Sequence, residues 1–412
     1  MTPPDTSSQQ PVDWQARANE AARSVTSRFG RRLLFLPGTH LGAVLWPSNW
    51  FKNLFRPWHY WWQAHYVDCL VDAGRREPGN GATPASRFSG PGHPSAGKIA
   101  SRLVTGIWLR NAFTFVNSYY DDMAWLALAI LRLQGLAEET QKPGRRNARI
   151  HKTLTLQFDS ASTDDMGGGT FWSKKRDFKN TPATAPVALY YARTGQPAKA
   201  QRLVDWLNMV LFDEAQGLYV DGARLDAAGE IMVENTIYTY NQGPVLGALL
   251  ELGGEANLAR AATVIGAVDK HLTIPAHTVV PGSPPDTRTS ILRCDGTGDG
   301  GLFTGILCRY LALAAVDARL PEVARSTAAE LVNTTAEAFW AGRRTDDESI
   351  FSVHAAQPAA ITYPPGVAVE LSTQLQAWMV LEAAASVNQV PLNGAAPAAL
   401  EPAPTGRPPG RQ

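Results

Sequence analysis

Asn117-Ser118-Tyr119-Tyr120-Asp121-Asp122-Met123-Ala124-Trp125-Leu126-Ala127-Leu128-Ala129 is the stretch on which the reading of this chain turns. Two adjacent carboxylates stand between a pair of tyrosines and a tryptophan, where a strongly apolar helix starts and Asn117 or Ser118 can cap it. Residues 123–133 are apolar nearly all round, the mark of a helix packed on every side. Carboxylates at the mouth of such a helix are partly desolvated, which costs free energy unless they are paired or used. Asp-Asp recurs at Asp164-Asp165 and Asp346-Asp347. There a solvated helix start, favoured by the dipole, is explanation enough.

The chain has 412 residues and a net charge of +1, so no basic balance points to nucleic acid, and nothing reaches transmembrane length. Of its 12 tryptophans, Trp46, Trp50, Trp58, Trp61 and Trp62 fall close together, either to line a carbohydrate groove or to fill a core. Cys69, Cys294 and Cys308 lack CxxC spacing and are odd in number, which argues against a disulfide framework and a zinc site. The first thirty residues hold no signal-like apolar core, and Pro37-Gly38 stops the short run that begins at Arg31. The expected compartment is therefore the cytoplasm, with secretion as the alternative, and the expected state is a monomer.

Residues 1–12 and the Ala/Pro/Gly-rich tail 391–412 are expected to be disordered, leaving 13–390 as one domain. Within it the patterning predicts helices over 13–29, 58–73, 96–115, 120–136, 147–158, 178–193, 198–212, 241–252, 257–272, 300–316, 321–339 and 369–387, with almost no strand-like alternation. Clusters of polar and aromatic residues sit near the start of every second helix: Trp61-Trp62-Gln63-Ala64-His65, Tyr120-Asp121-Asp122, Lys179-Asn180-Thr181, Tyr240-Asn241-Gln242-Gly243, Asp299-Gly300-Gly301-Leu302-Phe303 and Ser372-Thr373-Gln374. Successive clusters recur at roughly 60 residues until a longer last step, a helix-pair period. Six helix pairs suggest an all-α toroid, the (α/α)6 barrel, whose inner helices point their N-termini into one shared cleft. An open α-solenoid is the competing architecture, but it gives no reason for rings and amides at alternate helix starts.

Glycoside hydrolysis needs one carboxylate as nucleophile or base and a second carboxylic acid to protonate the leaving oxygen. Neighbouring residues on a helix diverge by about 100°, which puts their carboxyl groups roughly 5 to 6 Å apart, nearer the retaining than the inverting separation. Like charges so close split their titrations and supply both a charged nucleophile and a protonated acid. Spacing alone does not say which aspartate is which. The turn Gly167-Gly168-Gly169-Thr170-Phe171-Trp172 offers a sugar platform, and Lys179, Asn180, Tyr240, Asn241 and Gln242 offer groups for vicinal hydroxyls, although such residues also serve as caps. His65 fits a sugar contact or a satisfied core histidine. Asp295-Gly296-Thr297-Gly298-Asp299-Gly300 departs from a calcium loop at Thr297 and Ile306, and no strand precedes it as a nucleotide loop requires, so no metal or other cofactor is expected.

Tyr119-Tyr120-Asp121-Asp122-Met123-Ala124-Trp125 resembles the signature of glycoside hydrolase family 76, the bacterial endo-α-1,6-mannanases, to which fungal cell-wall transglycosidase-like proteins are related. The likeness extends through Trp61-Trp62-Gln63-Ala64-His65, the 167–172 turn, Lys179-Asn180, Tyr240-Asn241-Gln242-Gly243, and Gly305 with Arg309-Tyr310. The resemblance implies an (α/α)6 barrel and retaining, endo-acting hydrolysis of α-1,6-mannosidic bonds, with Asp121 matching the nucleophile and Asp122 the acid/base. Together with Asp299 of the fifth cluster, the matched residues Trp61, Trp62, His65, Tyr119, Tyr120, Trp172, Lys179, Asn180, Tyr240, Asn241 and Gln242 are the expected contacts to α-mannan. Phe303-Thr304-Gly305 stands where the family more often has Phe-Lys-Gly. A transglycosylase using the same carboxylates, a mannan-binding barrel without turnover, and a sugar epimerase or isomerase are the alternatives; the last would rely on histidine bases, and few of the 8 histidines fall at inner-helix starts.

Overall fold

The computed structural model describes residues 12–48, 57–77, 86–141, 145–276, 290–345 and 348–389. Among them are twelve helices of at least ten residues: α1 Trp14–Phe29, α2 Tyr60–Arg76, α3 Ala96–Arg110, α4 Tyr120–Glu139, α5 Arg145–Ala161, α6 Thr181–Arg193, α7 Pro197–Trp206, α8 Thr239–Leu252, α9 Glu255–His271, α10 Phe303–Ala315, α11 Glu322–Ala341 and α12 Leu371–Val387. The even-numbered helices form an inner ring: α2 packs on α4, α4 on α6, α6 on α8, α8 on α10, α10 on α12, and α12 returns to α2. A ring that closes on itself is not an open solenoid, and the architecture is the (α/α)6 barrel.

Burial explains which helices go inside. Residues 371–385 of α12 and 123–130 of α4 are buried without a break, so these helices need partners on every side. Helix α1 instead buries Ala18, Ala21, Ala22, Val25 and Phe29, a stripe at three- and four-residue spacing, and packs on α12 from outside. No helix among the described residues is long and apolar enough to cross a membrane.

Two expected helices end early. The one over 96–115 stops at Arg110, because Ala112 and Phe113 take left-handed backbone with φ of 54° and 63°. The one over 198–212 leaves α geometry at Trp206 and continues as a π turn, Leu207–Leu211. The sequence also hides short strands at the barrel mouth: β1 Lys179–Asn180, β2 Gly222–Leu225 and β3 Ile231–Glu234 form an antiparallel sheet in that order. Asp346-Asp347 and, apart from Val12, the two end segments expected to be disordered lie outside the described residues.

Three buried glutamines tie loops to the inner ring. Gln63 accepts from the Gly42 N–H at 2.8 Å and donates to the Gly42 carbonyl at 3.1 Å. Gln242 holds Tyr219 in the same way at 2.9 and 2.8 Å, and Gln374 holds Phe351 at 2.8 Å both ways. Each primary amide supplies the pairing that a neighbouring strand would, so neither backbone group is left unsatisfied.

Charge crosses the inside of the ring. Arg309 of α10 donates to Asp68 at 2.6 Å and Asp72 at 2.8 Å, both on α2, although α12 lies between these helices in the ring. Arg132 of α4 pairs with the same two carboxylates, reaching Asp68 at 2.6 Å. Two arginines and two aspartates thus form a neutral, closed set. Buried charges require that mutual neutralisation.

Candidate active site

The acidic pair stands at the start of α4. Helical geometry begins after Tyr119, whose own side chain does not cap, rather than at Asn117 or Ser118. Asn117 instead accepts from the Tyr119 N–H through Oδ1 at 2.9 Å and donates from Nδ2 to Asp122 Oδ2 at 2.7 Å. The backbone donor fixes which way the amide points, so Asp122 receives an N–H. Asp121 accepts two donors: the Asp122 backbone N–H on Oδ1 at 2.9 Å and the Trp172 indole Nε1–H on Oδ2 at 2.9 Å.

Both carboxyls are half-buried among rings. Burial raises the pKa of each, and the neighbouring Asp121 charge pushes Asp122 up further. Against that rise, Asp121 has its two N–H donors and Asp122 only the Asn117 amide. The pair is therefore asymmetric, with the carboxylate form better supported at Asp121 and the acid form at Asp122.

Two aromatic walls flank the pair. On one side the exposed rings of Tyr119 and Trp172 lie 5.0 Å apart. The 167–172 turn that delivers Trp172 needs its glycines: Gly168 and Gly169 have φ of 136° and 77°, and a Cβ on Gly169 would meet the Trp206 ring at 2.6 Å. On the other side Tyr240 stacks on Phe303 at 3.8 Å, with Trp61 6.3 Å from both and Tyr238 edge-on to Phe303 at 5.5 Å. Asp299 accepts the indole N–H of Trp61 at 3.0 Å and of Trp62 at 2.7 Å on the same oxygen. Asp299 lies close enough to Asp121 and Asp122, and Asp121 to Tyr240, for their charges to act on one another. The tryptophan cluster divides accordingly: Trp62 is buried, stacked on His59 at 4.1 Å, while Trp61 faces the opening.

Several residues expected to meet sugar serve the fold instead. Tyr120 is buried in the core, with its backbone N–H bound to the Trp172 carbonyl. Lys179 is fully buried and donates to the carbonyls of Thr163, Asp165 and Gly168 at 2.8, 2.7 and 2.7 Å, tying together the turn in which the Gly168 N–H also reaches the Asp165 carbonyl at 3.3 Å. Asn180 is the N-cap of α6, accepting from the Ala183 N–H at 3.2 Å. Gln242 is the tie to Tyr219. Thr304 is buried on the Arg293 carbonyl at 2.6 Å, so the departure from Phe-Lys-Gly falls on an internal contact.

His65 and Asn241 are different. Both are buried, yet both His65 ring nitrogens and Asn241 Oδ1 lack a hydrogen-bond partner. Burial pushes His65 down to about 3, so it is a neutral imidazole with one donor and one acceptor. Asn241 Nδ2 contacts Asp221 at 3.4 Å, and burial raises that carboxyl to about 6. Asp221 went unrecognised in the sequence; its one signal is a carboxylate between Tyr219-Val220 and Gly222. Among the described residues no cluster of three or more His, Cys, Asp or Glu is arranged to hold a metal ion.

The chain matches the model of glycosyl hydrolase family 76 over residues 14–390. No curated protein matches it. Its fold is similar to that of the GH76A α-1,6-mannanase from Salegentibacter sp. HEL1_6, with 27% identity, a TM-score of 0.71, and coverage of 91% of this chain and 100% of that one. An inactive variant of that mannanase, with two consecutive aspartates changed to asparagine, is in complex with α-1,6-mannotriose and matches at 26% identity, TM-score 0.71 and the same coverage. The family 76 mannosidase Bt3792 of Bacteroides thetaiotaomicron, at 16% identity, shares the fold with a TM-score of 0.69 over 91% of this chain and 98% of that one. With the family model spanning nearly the whole barrel, this chain belongs to glycoside hydrolase family 76.

Proposed function

We propose that residues 13–390 form one catalytic domain that cleaves α-1,6-mannosidic bonds within mannan chains, with retention of configuration. The observation that carries this reading is the asymmetric hydrogen bonding of two adjacent carboxylates: two N–H donors on Asp121, one on Asp122. Asp122 holds the proton and delivers it to the glycosidic oxygen. Asp121 attacks the anomeric carbon, the carbon–oxygen bond breaks, and a glycosyl ester forms. Asp122, now ionised, takes a proton from water; the water oxygen attacks the anomeric carbon and frees the Asp121 carboxylate. Two inversions give net retention.

Aromatic walls on both sides of the pair support action within a chain, since each side can hold a sugar next to the broken bond. Trp61, Tyr240 and Asp299 on one wall and Tyr119 and Trp172 on the other are the contacts assigned to sugar, with His65, Asn241 and Asp221 beneath. The linkage rests on the likeness to the Salegentibacter mannanase, whose inactive double variant is held with an α-1,6-linked trisaccharide. Asp121→Asn and Asp122→Asn variants test the assignment. Hydrolysis of linear α-1,6-mannan should fall by about 10³-fold or more while oligosaccharide binding persists; undiminished hydrolysis in either variant overturns it.

A further inference from the structure

Short antiparallel pairings link the helix start that bears the acidic pair to the outermost hairpin of the mouth. Tyr119 bridges Ser173, Phe171 bridges Lys179, Lys179 and Asn180 of β1 pair with Ala223 and Gly222 of β2, and β2 pairs with β3. Side chains alternate across such a ladder, and directly opposed residues share a face. One face then carries Phe171, Lys179 and Ala223, all buried. The other carries the row Trp172, Phe178, Arg224 and Met232, with Glu234 diagonal to Arg224.

The contacts follow that row. The rings of Trp172 and Phe178 meet edge to face at 6.4 Å, the Arg224 guanidinium lies 5.0 Å over the Phe178 ring, and Glu234 is 3.7 Å from Arg224. At its inner end Trp172 donates to Asp121. At its outer end the side chains of Arg224 and Glu234 are 56% and 49% exposed, too open for their ion pair to add much stability. Strand β3 is exposed at all four residues, so it stands clear of the barrel, while Gly222 and Ala223 of β2 are buried.

We propose that this row is an extended glycan track, which binds mannan units beyond those at the acidic pair; the proposal rests on the mannanase reading above. A 1,6-linked hexopyranose chain leaves the 2-, 3- and 4-hydroxyls of every unit free, and vicinal hydroxyls suit the paired bonds of a guanidinium or a carboxylate. Phe178 and Met232 provide the apolar faces between them. Long chains use the track. Short ones that fill only the sites beside Asp121 and Asp122 do not.

The experiment compares the protein with its Arg224→Ala/Glu234→Ala variant on linear α-1,6-mannan and on α-1,6-mannotriose. The variant should lose about tenfold in kcat/KM on the polymer, the loss of one charged hydrogen-bonding contact, and stay within about twofold on the trisaccharide. Equal losses on both, or none on the polymer, overturn the track. Binding of polymer and trisaccharide to the Asp121→Asn/Asp122→Asn protein, with and without the two alanines, separates this from the mannanase reading. If the active protein cleaves neither substrate, that reading fails, while selective loss of polymer binding still supports the track. If the alanines leave polymer binding unchanged, or no mannan binds, the track fails.

Discussion

Trp172 and Asp121 are 51 positions apart in sequence, and the indole Nε1–H of one lies 2.9 Å from the carboxylate Oδ2 of the other. The exposed ring is thus a wall of the cleft and, through its N–H, an electrostatic support for the carboxylate form of Asp121.

Trp172→Phe keeps a ring and removes that donor. With only the Asp122 N–H left on Asp121, its carboxylate is less stabilised and its pKa rises further. The acidic limb of kcat/KM should move to higher pH, with a rate loss of about tenfold at the optimum. An unmoved limb would mean that the indole N–H does not act on Asp121.

The raised pKa values of Asp121 and Asp122 carry a stability prediction. A carboxyl whose folded pKa lies above its unfolded value contributes stability below the unfolded pKa and loses it as pH rises through the folded one. Above the ordinary carboxylate range the folded protein therefore holds charge at a penalty. Asp121→Asn/Asp122→Asn should raise Tm at pH 8, and the gain should shrink towards zero below about pH 4. A gain independent of pH, or a lowered Tm at pH 8, contradicts the assignment of burial as the cause.

The four-charge set inside the ring predicts a large effect on stability. Arg309→Met leaves Asp68 and Asp72 with Arg132 alone, and should cost about 3–5 kcal/mol in chemical denaturation. A cost under about 1 kcal/mol would place these groups in effective contact with water.

Lys179→Met removes the ammonium from the Thr163, Asp165 and Gly168 carbonyls, leaves Asp165 with the Gly168 N–H alone, and should destabilise by about 3 kcal/mol. Because those carbonyls shape the turn that ends in Trp172, activity should also fall under conditions where the variant remains folded. A folded variant with full activity would show that the turn holds without the ammonium.

The barrel was legible because its signal is repeated: unbroken apolar runs mark inner helices, and rings with amides mark their starts. The placement of Asp121 and Asp122 was legible because they stand where a buried helix opens. Lys179, Asn180 and Gln242 were not separable from sugar contacts by sequence, since a cap, a tie and a ligand-binding group use the same amides and ammonium. Only their partners decide between them: the carbonyls of Thr163, Asp165 and Gly168 for Lys179, the Ala183 N–H for Asn180, and the Tyr219 N–H and carbonyl for Gln242. The mouth hairpin escaped because its strands have four residues each, too few for a period-two pattern to stand out. Its turn did leave a trace in Asp226: Oδ1 accepts from the N–H groups of Ala228 and Glu230 at 2.8 and 2.9 Å, the first being the bond by which Asp mimics a backbone turn.

The most direct test follows linear α-1,6-mannan and the purified protein by proton NMR, recording product size and the first anomer released. Short oligosaccharides that appear first as the α-anomer are the predicted result, and they establish both cleavage within the chain and a covalent, retaining path. The β-anomer appearing first would contradict that path, because water would then have attacked the sugar directly; mannose alone from the outset would contradict cleavage within the chain.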